Sequence, residues 1–588
     1  MHEQTLKKNE QTKLNTPSSK SSSFSILHSP FSILYSSSFI LYSTLLIGFA
    51  LRLYVLDIES LWYDELLELD ITQHSLNTIL PLLPRHTALP LDYILLHFWV
   101  LFGRQDFWVR LPAVFYGMLA LPVAYQLGRT WFGQRGGQLL MALMALSPLH
   151  LYYSREARPY SLLLLGVLIA CYAVWHLRRQ IRWRYLVMLQ VGTLIFALSH
   201  FFANAIYMPL FGLLAADLIF SKNRKHVMRV MGAVLITGGI AFATILALGW
   251  GGPMLKTSRG FAETILEPER FTLDAEEKPN QGAGPEISWN YFRFKVLKPM
   301  VIRHSDIAMW VINGLAFVGF VFLLYQKRYH LAWFLSIWLI VPSLVILAFL
   351  LHQGTFFSIR YILSTLPAYL ALVAAGVLGV AVWANRLGGR QIATVVSAVL
   401  VGFIVFNFVY GVTLIYDNKV KEDWRLVGDF LRKNAHPDDT VIVINGEETL
   451  NWYYPPADAE PDTYDKLETV QEALDQTDRS WVVYSIFSPY LPEGRQIKVW
   501  LSEQGAIRLV LHHDIAVYYY GRNADPLQLL AEIREFALPV DHRLYASLAR
   551  ENRQNPAVAR QYYLLAIENA PDDEVRADYE VALEALQP

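Results

Sequence analysis

Long apolar stretches separated by short polar connections dominate residues 39–415. A helix needs about 20 mostly apolar residues to cross the ~30 Å hydrocarbon core of a bilayer, with roughly 17 as the lower limit. The stretches that reach this length are 39–56, 109–127, 137–153, 159–177, 185–202, 203–220, 229–250, 306–325, 331–351, 361–384 and 391–415. The pattern therefore predicts an all-α polytopic membrane bundle of about eleven transmembrane helices.

One further apolar stretch, 90–103, is short and contains Asp92 and His97. Such a stretch is more typical of a helix lying along the membrane surface than of a span. The positive-inside rule supports this interpretation, because a flat 90–103 and a cytoplasmic N-terminus place every basic cluster of the bundle inside. These clusters are Arg129 with Arg135, Arg178 to Arg184, Lys222 to Arg229, Lys327 with Arg328, and Arg386 with Arg390. The segments then predicted to face outward are 57–108, 154–158, 251–305, 352–360 and everything after about 416.

Four regions are predicted along the chain. Residues 1–37 are rich in Ser and Lys and indicate a disordered cytoplasmic tail, followed by the membrane domain over 38–416. Residues 417–522 alternate helix-like stretches with short β-branched and aromatic runs, which predicts a small extracytoplasmic α/β domain. Residues 523–588 are helical in pattern, with a spacing that resembles part of a tetratricopeptide (TPR) repeat, and we expect them to cap the α/β domain. The spacing in question is Ala559, Tyr563, Ala566 and Pro571.

Composition supports a membrane protein and excludes several other classes. The chain is 54% hydrophobic and only 17% charged, and its formal net charge of -1 gives no electrostatic reason to expect nucleic acid as a partner. Cys171, the single cysteine, lies in an apolar run. Disulfides, thiol catalysis and a cysteine-based metal site are therefore excluded.

The first candidate chemistry is a pair of adjacent carboxylates, Asp64 and Glu65, directly after the first predicted span. Ionised groups at the membrane are costly and tend to be functional. A hydrated turn beside the membrane is an equally open interpretation of this pair alone. The aromatic neighbours Trp62 and Tyr63 fit an interfacial belt in either case.

Cations and aromatic residues lie on the same predicted face in later segments. Arginines at an outer rim run against the positive-inside tendency, which suggests a bound anion. For Arg155, pairing with Glu156 or with a lipid phosphate is equally open, and His200, at a hairpin tip, also has a purely structural interpretation. The candidates for binding the donor phosphate or substrate are Arg85, His86, Arg155, Arg158, Tyr160, His200, Arg360 and Tyr361.

This inventory suits the transfer of a sugar from a polyprenyl-phosphate carrier. The leaving group is already an acidic phosphate, so it needs cations, preferably arginine, rather than a general acid. The acceptor hydroxyl needs a base, and a positioned carboxylate typically contributes roughly 10²–10⁴-fold to the rate. Direct attack from the opposite face would invert the anomeric centre, and the isoprenoid tail explains a site at the membrane.

The same residues resemble the GT-C glycosyltransferases of the protein O-mannosyltransferase and aminoarabinose transferase type, over roughly 39–415. The resemblance is nearest to the bacterial branch described as dolichyl-phosphate-mannose-protein mannosyltransferase-like. It rests on four blocks: Trp62 to Glu65; His86 to Tyr93 with Phe102-Gly103 and Arg110-Leu111-Pro112; Tyr153 to Tyr160; and Arg360-Tyr361 with Pro367.

The resemblance implies roles for several of these residues. Asp64 would be the catalytic base, and Glu65 would orient it or help to hold a divalent metal ion, for which Glu65 and His86 are the candidate ligands. Arg158 and Arg360 would bind the carrier phosphate. The sequence departs from the aminoarabinose transferases at Ala88-Leu89, where they carry Glu-Lys, and at Arg158, where they carry aspartate, so the resemblance leaves both the metal requirement and the sugar open.

The expected protein is a multi-pass enzyme of the plasma (inner) membrane, with its active site and C-terminal domain extracytoplasmic. Its expected partners are a polyprenyl-phosphate-linked sugar, a protein, lipid or glycan acceptor, and membrane lipids. Three alternatives remain: a lipid-linked sugar transporter or flippase, an oligosaccharide ligase using a diphosphate-linked donor, and a membrane scaffold. A transporter would place ionisable groups near the midplane and show repeated halves, which this sequence does not.

Overall fold

The computed structural model describes residues 37–84, 88–250, 305–352, 358–417 and most of 422–586, with gaps at 437, 445–446, 455–465, 485–491, 505, 513–514, 522–541 and 554. The predicted tail therefore lies outside the described residues, except for Ser37.

Helices form almost all of the described part of residues 37–417. They are α1 Ser37–Leu53, α2 Tyr63–Gln73, α3 Leu76–Leu82, α4 Pro90–Val100, α5 Asp106–Leu146, α6 Pro148–Tyr153, α7 Tyr160–Leu177, α8 Trp183–Ser199, α9 Tyr207–Phe220, α10 Arg224–Ile245, α11 Asp306–Tyr325, α12 Tyr329–His352 and α13 Leu366–Asp417. Short 3₁₀ segments, Phe201–Ile206 and Ile359–Thr365, precede α9 and α13. The predicted all-α membrane bundle is confirmed.

Seven helical segments in the described residues are long and apolar enough to cross a membrane: Asp106–Leu146, Tyr160–Leu177, Phe201–Phe220, Arg224–Trp250, Asp306–Tyr325, Tyr329–Leu350 and Ile359–Tyr416. Three of them contain glycines with non-helical backbone: Gly133 (φ 79°), Gly249 (φ 91°) and the pair Gly388-Gly389 (φ 77° at Gly389). Glycine adopts this left-handed backbone without the steric cost that other residues meet. Two shorter apolar helices, Ser38–Leu53 and Trp183–Ser199, accompany them. The count of about eleven spans stays a prediction.

The segment 90–103 forms the short helix α4, which has 11 residues. At 1.5 Å per residue such a helix is roughly 16 Å long, too short to cross the hydrocarbon core. This length agrees with the prediction that 90–103 does not span. Helices α2, α3 and α4 pack on one another and form a small helical layer at the end of the bundle where α1 ends and α5 begins.

The C-terminal part contains the predicted mixture of strands and helices. Its elements are α14 Trp424–Asn434, β1 Thr440–Ile444, α15 Glu447–Tyr453, α16 Leu467–Asp475, β2 Arg479–Tyr484, α17 Pro492–Glu503, β3 Ile507–His512 and β4 Ile515–Gly521. The strands form one sheet in the order β1-β2-β4-β3, in which β1 and β2 are parallel and the other pairs antiparallel. One face of the sheet packs against the helical layer, through a cluster that joins Leu61 and Val109 to Trp424 and Trp481.

Three further helices follow, α18 His542–Glu551, α19 Pro556–Glu568 and α20 Asp573–Glu584. Asn552 bonds both the N–H and the C=O of Arg508 in β3, at 3.1 and 3.0 Å. Ala559, Tyr563 and Ala566 are buried. These contacts agree with a capping role for the C-terminal helices, and the TPR-like character stays a prediction.

Candidate active site

Asp64 lies in the first turn of α2, beside Arg360, which is 296 positions later in the sequence. Nη1 of Arg360 donates to Oδ2 of Asp64 at 2.6 Å. The two side chains are 16% and 20% exposed, so this ion pair remains accessible to solvent. The guanidinium of Arg360 also lies 5.8 Å from the ring of Trp62 and 5.5 Å from that of Tyr361, where cation–π attraction is effective. Asp64 and Arg360, predicted from separate blocks, are therefore neighbours.

Glu65, one residue further on, has a different environment. It is fully buried and forms a bidentate ion pair with Arg110, at 2.9 and 2.7 Å. Its carboxylate also accepts from the N–H groups of Ala157, at 2.8 Å, and Trp62, at 3.4 Å. The remaining donors of Arg110 bond the carbonyls of Leu56, Glu59 and Ser60. Glu65 and Arg110 thus tie α2, α5 and the loop after α1 into one rigid unit.

Arg158 lies on the other side of Asp64. Its Nη1 donates to the backbone carbonyl of Asp64 at 2.9 Å and to Oε2 of Glu68 at 3.0 Å. Within the described residues its Nε has no hydrogen-bond partner, and the same holds for Nε of Arg360. Buried donors without partners are rare and need an explanation. Both arginines therefore keep hydrogen-bonding capacity for a ligand.

Glu68 and Asp92 form a buried carboxyl pair next to Arg158. Burial raises the pKa of Glu68 well above its usual range, and the neighbouring Asp92 raises it further. Burial also raises the pKa of Asp92, although the hydrogen bond with Glu68 and the charge of Arg158 oppose this. Two like charges in a buried site cannot both form easily, so the pair retains a proton at pH values where ordinary carboxyls are ionised.

An aromatic wall adjoins these charges. The ring of His200 lies 5.7 Å from that of Tyr160 and 6.3 Å from that of Tyr361, and Tyr361 lies 5.0 Å from Phe202. Burial, with Arg158 and Arg360 nearby, lowers the pKa of His200 to about 3. His200 is therefore neutral near pH 7. Because its Nδ1 accepts from the N–H of Phe202 at 3.2 Å, the ring proton is on Nε2, which is a donor.

Not every predicted site residue joins this cluster. Arg155 donates to the carbonyls of Leu51, Tyr54 and Val55, and its guanidinium lies 4.7 Å from the ring of Tyr416. These contacts join the end of α1 to the end of α13, and they lend no support to a donor-binding role. Arg85 and His86 lie outside the described residues.

A metal ion does not fit the described residues well. Both oxygens of Glu65 already accept hydrogen bonds, and the described ranges contain no group of three or more His, Cys, Asp or Glu side chains placed to hold an ion. His86, the other candidate ligand, is among the residues that are not described.

Sequence reasoning missed the roles of three residues. Glu68 stands four positions after Asp64, a spacing that places both on one face of a helix. This spacing indicates that Glu68 lies close to the candidate base. Asp92 lies in the block His86 to Tyr93 and in a short apolar segment, but neither pattern indicates that it pairs with Glu68. Arg110 lies in one of the blocks on which the resemblance rests, but nothing in that pattern indicates that it pairs with Glu65.

The C-terminal part contacts the loop that precedes α2, the helix on which Asp64 lies. The hydroxyl of Tyr453 accepts from the N–H of Leu61 at 2.8 Å and donates to Asp106 at 2.7 Å. Ser60 bonds the carbonyl of Glu422 and accepts from the N–H of Trp424, at 2.9 and 3.1 Å. Arg425 completes the contact by pairing with Asp106. We call these bonds the loop latch; they hold residues 60–61 immediately before α2.

The described residues form a polytopic membrane bundle with arginines and carboxylates gathered at one end of its helices. The oligosaccharyltransferase from Archaeoglobus fulgidus has a similar fold, with a TM-score of 0.51 and 12% identity over 84% of this chain and 76% of that one. A structure of the same archaeal enzyme, AglB, in complex with an inhibitory peptide and a dolichol-phosphate, has a TM-score of 0.50 with 11% identity over 83% and 74% of the two chains. ArnT from Cupriavidus metallidurans gives a TM-score of 0.47 with 13% identity, over 82% of this chain and 97% of that one.

Residues 86–250 match the family described as dolichyl-phosphate-mannose-protein mannosyltransferase. No curated protein sequence matches the chain. The predicted resemblance is confirmed: this segment matches the mannosyltransferase family, and the fold is similar to that of the archaeal oligosaccharyltransferase.

Proposed function

We propose that this protein transfers a sugar from a polyprenyl-phosphate-linked donor to an acceptor hydroxyl on the extracytoplasmic side of the plasma membrane, with inversion of the anomeric centre. Asp64 is the general base, and Arg158 and Arg360 bind the donor phosphate. The acceptor is a protein, a lipid or a glycan.

The observation that carries this proposal is the position of Asp64 between two arginines. Arg360 bonds its carboxylate at 2.6 Å, and Arg158 bonds its backbone carbonyl at 2.9 Å. A base and two guanidinium groups with spare donors thus occupy one place at the end of the bundle. Arginine suits this task because its planar fork matches the oxygens of a phosphate.

The chemistry follows from these positions. Asp64 accepts the proton of the acceptor hydroxyl while the hydroxyl oxygen attacks the anomeric carbon. The bond between that carbon and the phosphate oxygen breaks, and its electron pair stays on the oxygen, which leaves polyprenyl phosphate with one additional negative charge. Arg158 and Arg360 stabilise this charge, which is where the stabilisation is needed in the transition state. Nε2–H of His200 supplies a neutral donor beside the same group.

Arg360 also regulates the base in this mechanism. Without donor its guanidinium bonds Oδ2 of Asp64, so that oxygen is already engaged when an acceptor hydroxyl arrives. A phosphate between the two arginines competes for Arg360 and frees Asp64. The base therefore becomes effective once the donor has bound.

The other residues of the site hold this arrangement in place. The buried Glu65–Arg110 pair fixes the start of α2, and the loop latch holds the two residues before it. The C-terminal domain has a positioning role in this proposal. AglB, whose fold is similar, was solved with a dolichol-phosphate, which is a polyprenyl-type carrier phosphate.

The test replaces Asp64 by asparagine, which preserves the shape and removes the base. In purified Asp64→Asn, we expect turnover with a polyprenyl-phosphate sugar to fall by at least ~10²-fold. Affinity for polyprenyl phosphate should be retained or increased, because Arg360 loses its competing partner. Asp57→Asn, an exposed carboxylate in the same loop, is the matched control and should keep normal activity.

Near-normal turnover of Asp64→Asn would refute the assignment of the base. A diphosphate-linked donor assayed in parallel separates this activity from that of an oligosaccharide ligase. Transfer from the diphosphate donor alone would contradict the proposed donor class and leave the fold assignment unaffected.

A further inference from the structure

The opposite end of the helix bundle carries a second concentration of cations, around a cavity. Helix α7 begins beside the active site at Tyr160 and ends at Leu177, so the loop after it lies roughly 27 Å away along the axis. The loops 178–182, 221–223 and 326–328 meet at this end. By the charge distribution along the sequence, this is the end predicted to face the cytoplasm.

The cavity has a volume of about 430 Å³ and a mixed lining. Four cations belong to its polar lining, and a smaller set of apolar residues forms the part that we call the apolar wall. The cationic and titratable lining residues are Arg178, Arg179, Lys327, Arg328, His226 and His330, and Trp175, Val227 and Leu331 are among the apolar ones.

The carboxylate in this lining, that of Asp217, already has ion-pair partners. Asp217 forms a two-point ion pair with Arg178 and lies 3.2 Å from His330. Arg178 in turn lies 4.6 Å from the ring of Trp175. These contacts build the floor of the cavity and leave Asp217 little capacity to neutralise other cations.

Two of the cations at the rim lack a counter-charge. Across the described parts of the chain, neither Arg179 nor Lys327 has an ion pair. Lys327 has a left-handed backbone (φ 56°), which only Val55 shares among the described non-glycine residues. Burial and the charge of Arg179 lower the pKa of Arg328, so the two arginines face each other at a distance where their repulsion is felt. The positive-inside tendency explains cations in these loops, but not their convergence on a half-buried cavity.

We propose that this cavity binds an anionic phosphate group, namely the phosphodiester of an anionic phospholipid at the cytoplasmic surface. Arg179 and Lys327 contact the phosphate, and the apolar wall receives the adjoining glycerol and the start of an acyl chain. A free phosphate would use the same cations without the apolar wall, so the lining favours the lipid. The site is independent of the proposed glycosyl transfer, since none of its residues lies at the active site.

The test uses the full-length protein in nanodiscs of zwitterionic phosphatidylcholine, with short-chain phosphatidylglycerol titrated in and its binding followed by native mass spectrometry. We compare wild type with the double variant Arg179→Gln/Lys327→Gln. Each cation near a phosphate contributes about 1 kcal/mol, so the double variant should bind phosphatidylglycerol roughly 10- to 30-fold more weakly. The control Arg135→Gln/Arg182→Gln removes equal charge from residues that do not line the cavity, and should bind like wild type.

Inorganic phosphate added to the wild-type titration separates the two sources of the anion. If millimolar phosphate leaves lipid binding intact, the site selects the lipid headgroup, as proposed. If phosphate displaces the lipid and itself binds in a way that depends on Arg179 and Lys327, the anion site stands and the lipid assignment is wrong. Equal binding by wild type and both double variants, or an equal loss in both, would overturn the site.

Discussion

Replacing Glu65 by glutamine should destabilise the protein far more than the equivalent change at its neighbour. Glu65 is 0% exposed and Arg110 is 3% exposed in their bidentate pair, so removing one charge leaves the other buried and uncompensated. Breaking a buried pair in this way costs about 3–5 kcal/mol. The glutamine amide also points N–H groups at the guanidinium, where only acceptors are satisfied.

The assay is unfolding in lipid nanodiscs, by heat and by denaturant, followed through tryptophan fluorescence. Asp64→Asn is the matched control, because it changes an adjacent carboxylate in the same chemical way. The Asp64–Arg360 side chains are 20% and 16% exposed, so solvent screens their pair, and we expect a loss of less than ~1 kcal/mol. The two variants should therefore separate: Glu65→Gln loses stability, and Asp64→Asn loses activity.

Equal losses of stability in the two variants would refute this reasoning. So would a Glu65→Gln protein that unfolds like wild type, because the two side chains are only 0% and 3% exposed and solvent screens them little. A Glu65→Gln protein that is stable but inactive would instead assign Glu65 a direct part in the reaction.

Three further outcomes are expected. Arg158→Lys should raise the donor KM by about 10- to 100-fold, because the compact ammonium lacks the planar fork with which arginine can bond the Asp64 carbonyl and a phosphate at once. An unchanged KM would exclude Arg158 from phosphate binding. Tyr453→Phe removes the hydroxyl of the loop latch and should lower kcat several-fold with donor KM nearly unchanged. The control variant Tyr454→Phe should have wild-type kinetics. Equal kinetics in the two variants would contradict the role of the loop latch. The Glu68–Asp92 pair keeps its proton until the pH rises through its raised pKa, and the negative charge then gained beside Arg158 should weaken donor binding. In a pH series, the donor KM should therefore rise with pH in wild type and rise less in Asp92→Asn.

The membrane architecture was accessible from the sequence because membrane spans obey a length rule. Each span must satisfy its own backbone hydrogen bonds across a fixed thickness, so apolar length alone predicts helices such as Tyr160–Leu177. The same rule predicts that 90–103 does not cross the membrane, and this segment forms a helix of only 11 residues. The breaks at Gly133 and Gly389 fell between predicted spans, in line with the ability of glycine to adopt positive φ.

The sequence alone does not indicate that Asp64 is partly exposed at the candidate site while Glu65 forms a buried ion pair. Adjacent residues on a helix point about 100° apart, so one faces the site and the other faces the core, but the sequence does not say which. The answer depends on Arg110, which is 45 positions away and reaches Glu65 only in the folded chain. The pairing of Arg425 with Asp106, separated by 319 positions, was equally out of reach.

Neighbouring residues neutralise the groups that would act on the donor in the proposed mechanism. Asp64 pairs with Arg360, Arg158 bonds Glu68, and Glu68 shares a proton with Asp92. A donor phosphate adds negative charge that both arginines can accept, whereas an acceptor hydroxyl offers no charge and cannot displace Arg360 from Asp64. Under the proposed mechanism binding therefore has an order: the donor opens the ion pair, and the acceptor then meets a free carboxylate. The proposed base would then be released only when the leaving group is in place, which would limit unproductive proton transfer.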